Sequence, residues 1–476
     1  VQNKRDQLHA HLFVVGRLVS ALVRGEPDAQ ETPMRRTTVG AAFGALLGVV
    51  LMVGFLVYGL VVRGGDDSWR QPGSIVVEKE TGSRYLFLDG TLRPALNYTS
   101  ALLAAGGGKA EVRTVPRSSL DGVPHGLPVG IPDAPDALPA PPRLVTDSWQ
   151  VCSAAVSSPG AVDRPGVAVS VGRSWPAEAV PEDRAVPVST QDGAHYLVWR
   201  GKRMKVVSQA VLVALGFGGS PPVRVDPSWL NALPAGPDLT PPAVRDRGAQ
   251  GPRVAGQPTR VGQVFEVTVT GGAKDHYLVR ADGLSALSGT DLALLLADPD
   301  TARAYPGQPV RPIPLTPAAV AEAPKSATAQ GGSGLPGQPP APAADLDGRA
   351  LCVELGFAAE GAGARLVTVD QGRVRVAAAG RPARAGAADE RTADQVRVAA
   401  GAGALVVGQP APGVRAGTKY LITDVGIKFP LPSDEVTRAL GYDGSAPVPV
   451  PTSVLAFVPT GPALDPEAAR TQRSTP

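Results

Sequence analysis

Residues 37–62 read TTVGAAFGALLGVVLMVGFLVYGLVV, without a single charged side chain. A helix needs about 20 apolar residues to cross a bilayer, so this stretch predicts one transmembrane helix. Gly40, Gly44, Gly48, Gly54 and Gly59 would weaken a soluble helix, but glycine is common where membrane helices pack. The steps from Gly40 to Gly44 and from Gly44 to Gly48 have the small-xxx-small spacing, which leaves a helix–helix contact and a lipid-facing surface both open. Lys4, Arg5, Arg17, Arg24, Arg35 and Arg36 precede the span, whereas Arg63 and Arg70 follow it together with Asp66 and Asp67. The positive-inside rule then places the N-terminus in the cytoplasm and the bulk of the chain outside it. A cleaved signal peptide fits poorly, because the apolar run is too long, starts too late and is followed by no small-x-small site before Trp69.

Working outward towards the N-terminus, Leu8, Leu12, Val15, Val19 and Leu22 recur at steps of three and four and form one apolar stripe on a helix. Asn3 can cap its start, and Gly25 with Pro27 can end it. A lone helix of about 20 residues has no core of its own. The stripe therefore rests on the inner leaflet, with Arg17 and Arg24 near lipid phosphates, or docks on a partner subunit.

Beyond the span, 49 prolines and 56 glycines in 476 residues exclude long helices over most of the chain. That length implies more than one core. The net charge of +3 is spread along the chain with no long basic tract, which argues against nucleic acid as a partner. The excess of arginine over lysine and the abundance of alanine, glycine and proline suggest a G+C-rich bacterial genome, in which Val1 reads as an alternative start codon.

Four segments repeat one pattern of a Tyr-Leu strand running into a glycine turn. They are Gly82, Tyr85, Leu86, Gly90; Gly193, Tyr196, Leu197, Gly201; Gly272, Tyr277, Leu278, Gly283; and Gly417, Tyr420, Leu421, Gly426. A short helix follows each, capped by Asn97, Ser208, Ser288 or Ser433. Proline-flanked segments come next, at 116–120, 227–230, 314–320 and 451–455. Alternating strands at 74–78 and 263–270 complete the unit upstream. Each copy reads as strand, strand, helix, strand over about 50 residues, too small to bury much alone, so the copies should pack on each other or on a shared centre. The Tyr and Leu positions are read as core.

The expected fold is α+β, a single transmembrane helix followed by an extracytoplasmic domain of four small strand/helix repeats around a β-rich central domain. The expected organisation is a cytoplasmic helix and linker (1–36), the span (37–62), repeat 1 (63–142), a first part of the central domain (143–175), repeats 2 (176–248) and 3 (249–327), a Gly/Pro/Ala-rich linker (328–344), a second central part (345–416), repeat 4 (417–464) and a disordered tail (465–476). Additional strand patterns at 145–152, 167–171, 350–355, 365–369 and 396–398 supply the central domain. The two cysteines, Cys152 and Cys352, fall one in each central part. An oxidising exterior favours a disulfide between them, the alternative being two free buried thiols.

These features in this order resemble the EccB family, membrane subunits of the type VII (ESX-type) secretion machinery of mycobacteria and other actinobacteria. The resemblance spans nearly the whole chain. It rests on Arg5-Asp6-Gln7 and the helix after it, on Ala21-Leu22-Val23-Arg24-Gly25-Glu26 and Met34 before the span, on the Tyr-Leu repeats and on the paired cysteines. It implies four repeats around a central domain crossed by a disulfide, which Cys152 and Cys352 would match. It also implies assembly with an EccC-like motor ATPase and an EccD-like channel subunit, and self-association outside the membrane.

Members of that family are sometimes labelled ATPases, which makes a phosphate loop the first motif to test. Gly106-Gly107-Gly108-Lys109 is followed by Ala110 and has Leu103 where a Walker A loop needs its first glycine, so the motif fails at two places. His9, His11, His125, His195 and His276 have no zinc-protease or zinc-finger spacing, and no Gly-x-Ser-x-Gly elbow occurs. The sequence thus predicts a non-catalytic scaffold without cofactor. ATP hydrolysis, or cell-wall binding through Trp69, Trp175 or Trp229, is the alternative.

Overall fold

The computed structural model describes residues 4–25, 34–61, 67–107, 110–146, 149–157, 159–160, 162–172, 174–327, 334–344, 346–358, 361–377, 392–411, 413–414 and 417–473. Asn3, Pro27, Gly108, Lys109 and residues 328–333 of the expected linker lie outside them. The chain forms two compact units, residues 1–69 with 115–122 and residues 70–114 with 123–476.

In the first unit, helix Lys4–Arg24 ends at Gly25, whose φ of +67° lets its N–H reach the Ala21 carbonyl at 2.9 Å. Helix Met34–Val61 contains the apolar span, 24 residues from Arg36 to Gly59 with a mean hydropathy of 2.4.

In the second unit each repeat has one strand more than expected. Repeat 1 runs Ile75–Glu78, Arg84–Leu88, Thr91–Pro94, helix Tyr98–Ala104 and strand Val112–Val115. Repeats 2, 3 and 4 carry the same series, with Tyr-Leu strands His195–Trp199, Lys274–Arg280 and Lys419–Ile422. The unexpected strand is the one after the glycine turn, Thr91–Pro94, Lys202–Val206, Gly283–Leu287 and Lys428–Leu431. It forms because the turn folds the chain straight back on the Tyr-Leu strand, as in the pairs Leu86↔Arg93 and Leu197↔Met204. The proline-flanked segments are not strands. They make short helical turns such as Trp229–Ala232 and Thr452–Leu455, and the closing strand precedes each of them. Asn97, Ser288 and Ser433 accept hydrogen bonds from the N–H groups of Ser100, Asp291 and Val436 respectively, whereas Ser208 makes no such side-chain bond.

The third strand would be an open edge, and each repeat closes it in the same way. Pro124, Pro234, Pro324 and Pro459 accept the N–H of Leu92, Arg203, Leu284 and Lys428 at 2.7–3.0 Å. Two residues after each proline, Gly126, Gly236, Ser326 and Gly461 donate their N–H back to the same four residues at 2.8–2.9 Å.

The central sheet runs in the order Gln395–Val398, Arg164–Val171, Trp149–Ser157, Arg349–Ala358, Gly361–Asp370, Ala177–Ala179, with Val376–Ala377 added beside Trp149–Ser157. It is built from two hairpins that meet in antiparallel register, with Cys352 opposite Cys152 and Val353 opposite Val151. The chain therefore has a topological two-fold. Repeat 1, hairpin and repeat 2 are followed by repeat 3, hairpin and repeat 4. Packing crosses between these halves. Ile75, Leu86 and Leu103 of repeat 1 share one core with Leu405, Leu421 and Phe429 of repeat 4. Leu294 of repeat 3 enters the core of Leu197, Trp199 and Leu212 in repeat 2. Repeats 2 and 4 line the central sheet through Val186, Val188, Val406 and Val450.

Three expectations are corrected. Strand Ala404–Gln409, placed in the central domain by the boundary at 417, pairs with Lys419–Ile422 inside the sheet of repeat 4. The expected linker is built into the fold where it is described, since Ala341–Pro342 pairs with Arg184–Ala185 and the Thr290 hydroxyl donates to Pro336 O at 2.6 Å. The expected disordered tail contains helix Pro466–Arg470, whose Ala469 is fully buried against repeat 1, and Arg473 N–H reaches Pro128 O at 2.8 Å. Composition suggested mobility there, but buried Ala469 together with hydrogen bonds from Arg470 to Ala104 O and from Arg473 to Pro128 O and Gly130 O docks the segment.

Candidate assembly surfaces

On helix Lys4–Arg24 the side chains of Leu8, Leu12, Val15, Val19 and Leu22 are all exposed, from 42% at Val15 to 80% at Leu22. Phe13, Val14, Leu18 and Val23 are exposed as well, so the apolar surface is broader than the stripe legible by spacing. Single apolar residues on a surface are ordinary, but a contiguous apolar face marks a contact with lipid or protein. On the membrane helix, a Cβ added at Gly40, Gly44 or Gly48 would meet nothing within 4 Å among the described residues.

The Tyr-Leu pairs separate. Leu86, Leu197, Leu278 and Leu421 are 0% exposed, while Tyr85, Tyr196, Tyr277 and Tyr420 are half-buried. Neighbouring residues on a strand point to opposite faces of the sheet, so the two cannot share one core. Leu197 and Leu421 pack under their own repeat helices, whereas Tyr196 and Tyr420 pack towards the central sheet. Tyr85 meets the edge of the His125 ring at 5.5 Å. Cys152 and Cys352 form a disulfide between the paired inner strands of the two hairpins, with both residues 0% exposed.

Chemistry can be tested residue by residue. Gly106 and Gly107 end helix Tyr98–Ala104, with N–H groups bonded to Leu103 O at 3.2 Å and Leu102 O at 2.9 Å, so those donors are committed to the helix. Gly107 also sits where a Cβ would come within 2.7 Å of Ala439 Cα, which fixes the close approach of repeats 1 and 4. Asn97 of the Asn97-Tyr98-Thr99 sequon is buried, and its amide donates to Ile131 O at 2.8 Å. Trp69, Trp175 and Trp229 are buried too, which removes them as wall-binding platforms. Among the described residues no group of His, Cys, Asp and Glu is arranged to hold a metal. A cleft of about 260 Å³ between repeats 2 and 4 and the second hairpin, bounded by Leu233, Leu355, Gln409 and Thr452, has no charged residue in its lining.

The remaining polar contacts hold the scaffold. Lys428, nearly buried, donates to Leu455 O, the last carbonyl of helix Thr452–Leu455, at 2.8 Å and to Val458 O in the turn after it. The Tyr442 hydroxyl donates to Pro139 O at 2.7 Å, and burial pushes its phenol pKa up. The ammonium of Lys274 and then His276 hold Glu266 below the usual carboxylate range. Lys419 does the same for Asp434. The sequence reading missed the Pro-x-Gly/Ser edge closures, although their signal, a proline two residues before glycine or serine after each closing strand, was present in all four copies.

Residues 2–476 match the family model for Type VII secretion system ESX-1, transport TM domain B. The chain is 29% identical over 503 residues to the ESX-2 secretion system ATPase EccB2 of Mycobacterium tuberculosis, covering 99% of this chain and 95% of that one. Its fold is similar to a chain in the structure of an intact ESX-5 inner membrane complex, with a TM-score of 0.67 at 24% identity over 100% of this chain and 96% of that chain. It is also similar to the EccB3 dimer from the ESX-3 core complex, with a TM-score of 0.65 at 27% identity over 84% of this chain and 100% of that chain.

Proposed function

The chain belongs to the EccB family of type VII secretion membrane components, and we propose that it acts there as a non-catalytic scaffold. In this reading the 36–59 span anchors the chain with the N-terminal helix in the cytoplasm and the second unit outside it. The basic residues before the span support that orientation, and so does a disulfide, which an oxidising compartment favours. The second unit self-associates, a reading supported by its similarity to EccB3, which forms a dimer in the ESX-3 core complex. The N-terminal helix docks on the EccC-like motor or the EccD-like channel subunit within the membrane complex. The single observation that carries this reading is the exposed apolar face of Leu8, Leu12, Val15, Val19 and Leu22, set beside a second unit in which the Gly106 and Gly107 N–H groups cap a helix and no metal-holding group occurs among the described residues.

Replacing Leu12 and Val19 with Asp tests it. Two charges forced into a dry contact cost several kcal/mol. Membrane insertion and folding of the second unit should survive while co-purification of the other subunits fails. A variant that still pulls down the complete complex at wild-type yield would show that the helix rests on lipid instead. For catalysis, ATP hydrolysis that co-purifies with the chain and disappears in one single-site variant would refute the scaffold reading.

A further inference from the structure

A cleft of about 310 Å³ opens where the turn of repeat 2 meets the second central hairpin, and three arginines from three different elements line it. Arg184 opens strand Arg184–Ser189, Arg200 sits in the turn before strand Lys202–Val206, and Arg365 lies on strand Gly361–Asp370. The turn is seated rather than loose, because a Cβ on Gly201 would run into the carbonyl of Ala364. Arg200 is held in the left-handed region at φ +49°, with its guanidinium 5.9 Å from the Trp199 ring and its Nε 3.4 Å from Glu182 O. Arg184 donates from Nη1 to Pro342 O at 2.9 Å. Arg365 is paired with Glu354, and Glu182 also lines the cleft. Among the described residues neither Arg184 nor Arg200 has a carboxylate ion pair. The cleft lining thus holds three arginines and one acidic residue, Glu182.

The topological two-fold supplies an internal control. Val188 opposite Tyr196 corresponds to Val406 opposite Tyr420, which makes Ala402 the counterpart of Arg184. The residue before the turn glycine in repeat 4 is Val425, the counterpart of Arg200. In the hairpins, Glu354 opposite Arg365 corresponds to Ala154 opposite Gly166. All of these charges are thus absent from the other half, where the scaffold packs without them. The arginines are not what the architecture requires.

We propose that this cleft binds an oxyanion, a phosphate or carboxylate group of a small ligand, through charge-assisted hydrogen bonds from Arg184 and Arg200 with Arg365 closing the site. The test uses the full chain in non-ionic detergent at low salt, titrated by calorimetry with inorganic phosphate and separately with acetate. Saturable binding that weakens as salt rises is expected. It should fall at least tenfold in Arg184→Gln/Arg200→Gln while the melting temperature stays put, and should be unchanged in Arg438→Gln, an exposed arginine elsewhere. Saturation by phosphate alone assigns a phosphate-bearing ligand, and by acetate alone a carboxylate. No saturation by either anion, retention in the double variant, or an equal loss in Arg438→Gln would overturn the proposal.

Discussion

Replacing Cys152 and Cys352 together by alanine should leave the native structure in place and destabilise it through the unfolded chain. The two residues are 200 apart in sequence, and a cross-link of that span removes loop-closure entropy worth about 5 kcal/mol on the chain-entropy model, an upper value because real unfolded chains retain structure. Native pairing does not depend on the sulfurs. Val353 opposite Val151, Glu354 opposite Gln150 and Leu355 opposite Trp149 keep the hairpins in register, and the repeats hold the halves together from both sides. Urea unfolding followed by tryptophan fluorescence reads this directly. Trp149 and Trp229 are buried beside the cross-link, and Trp229 Nε1 donates to Val151 O at 3.0 Å. The expected result is a wild-type emission spectrum before the transition and a clearly lower midpoint. Because both residues are fully buried, reductant should act on the wild type only where it unfolds. Equal midpoints for the two proteins would refute the reasoning, as would two free thiols per chain in unreduced, unfolded wild type.

Gly107→Ala should cost roughly 1–2 kcal/mol from its φ of +99°, and more from pushing Ala439 away, lowering the melting temperature without touching any ATP turnover in the preparation. Lys428→Met should cost about 1–3 kcal/mol by leaving the Leu455 and Val458 carbonyls unsatisfied, readable in the same urea titration. Glu266 has a lower pKa folded than unfolded, because Lys274 and His276 stabilise its charge. Its contribution is therefore complete above the ordinary value of 4.5 and is lost as pH falls through the lower folded value. Melting temperature against pH should drop less steeply on the acid side in Glu266→Gln, and identical profiles would remove the pairing from the account.

Local signals were legible wherever one stretch of chain determines its own structure. The membrane helix follows from an uncharged run, and the four Tyr-Leu strands with their glycine turns follow from alternation and φ. What stayed hidden depended on partners distant in sequence. The strand after each glycine turn has little pattern of its own, as in Lys202, Arg203, Met204, Lys205, and exists because the Tyr-Leu strand templates it. Assigning both Tyr196 and Leu197 to one core overlooked the period of two along a strand, since each serves a different core. The docked tail rests on Ala469 and on Arg470 and Arg473, which reach Ala104 O and Gly130 O, contacts that no composition argument weights. The arginine cleft was illegible for the same reason. Its three members lie 181 positions apart at the extremes, Arg184 to Arg365, and only the seating of the Arg200-Gly201 turn on the second hairpin brings them together.

The exchange of repeats between halves explains how such small units make a stable scaffold. A sheet of four short strands with one short helix buries one face under the helix and leaves the other face apolar. In repeats 2 and 4 that second face is spent on the central sheet, and their helices then need an outer cover. Repeat 3 supplies it to repeat 2, and repeat 1, reinforced by helix Pro466–Arg470, supplies it to repeat 4. Each half thus completes the core of the other, so neither half can release a repeat without exposing apolar surface in both. The disulfide sits where the two hairpins pair side by side, the point at which one covalent bond ties both halves. Only the first repeat joins the membrane helix directly in sequence, yet it is the repeat that shares its core with the C-terminal end of the chain. Repeats 1 and 4 therefore lose stability together, because each supplies part of the other's core.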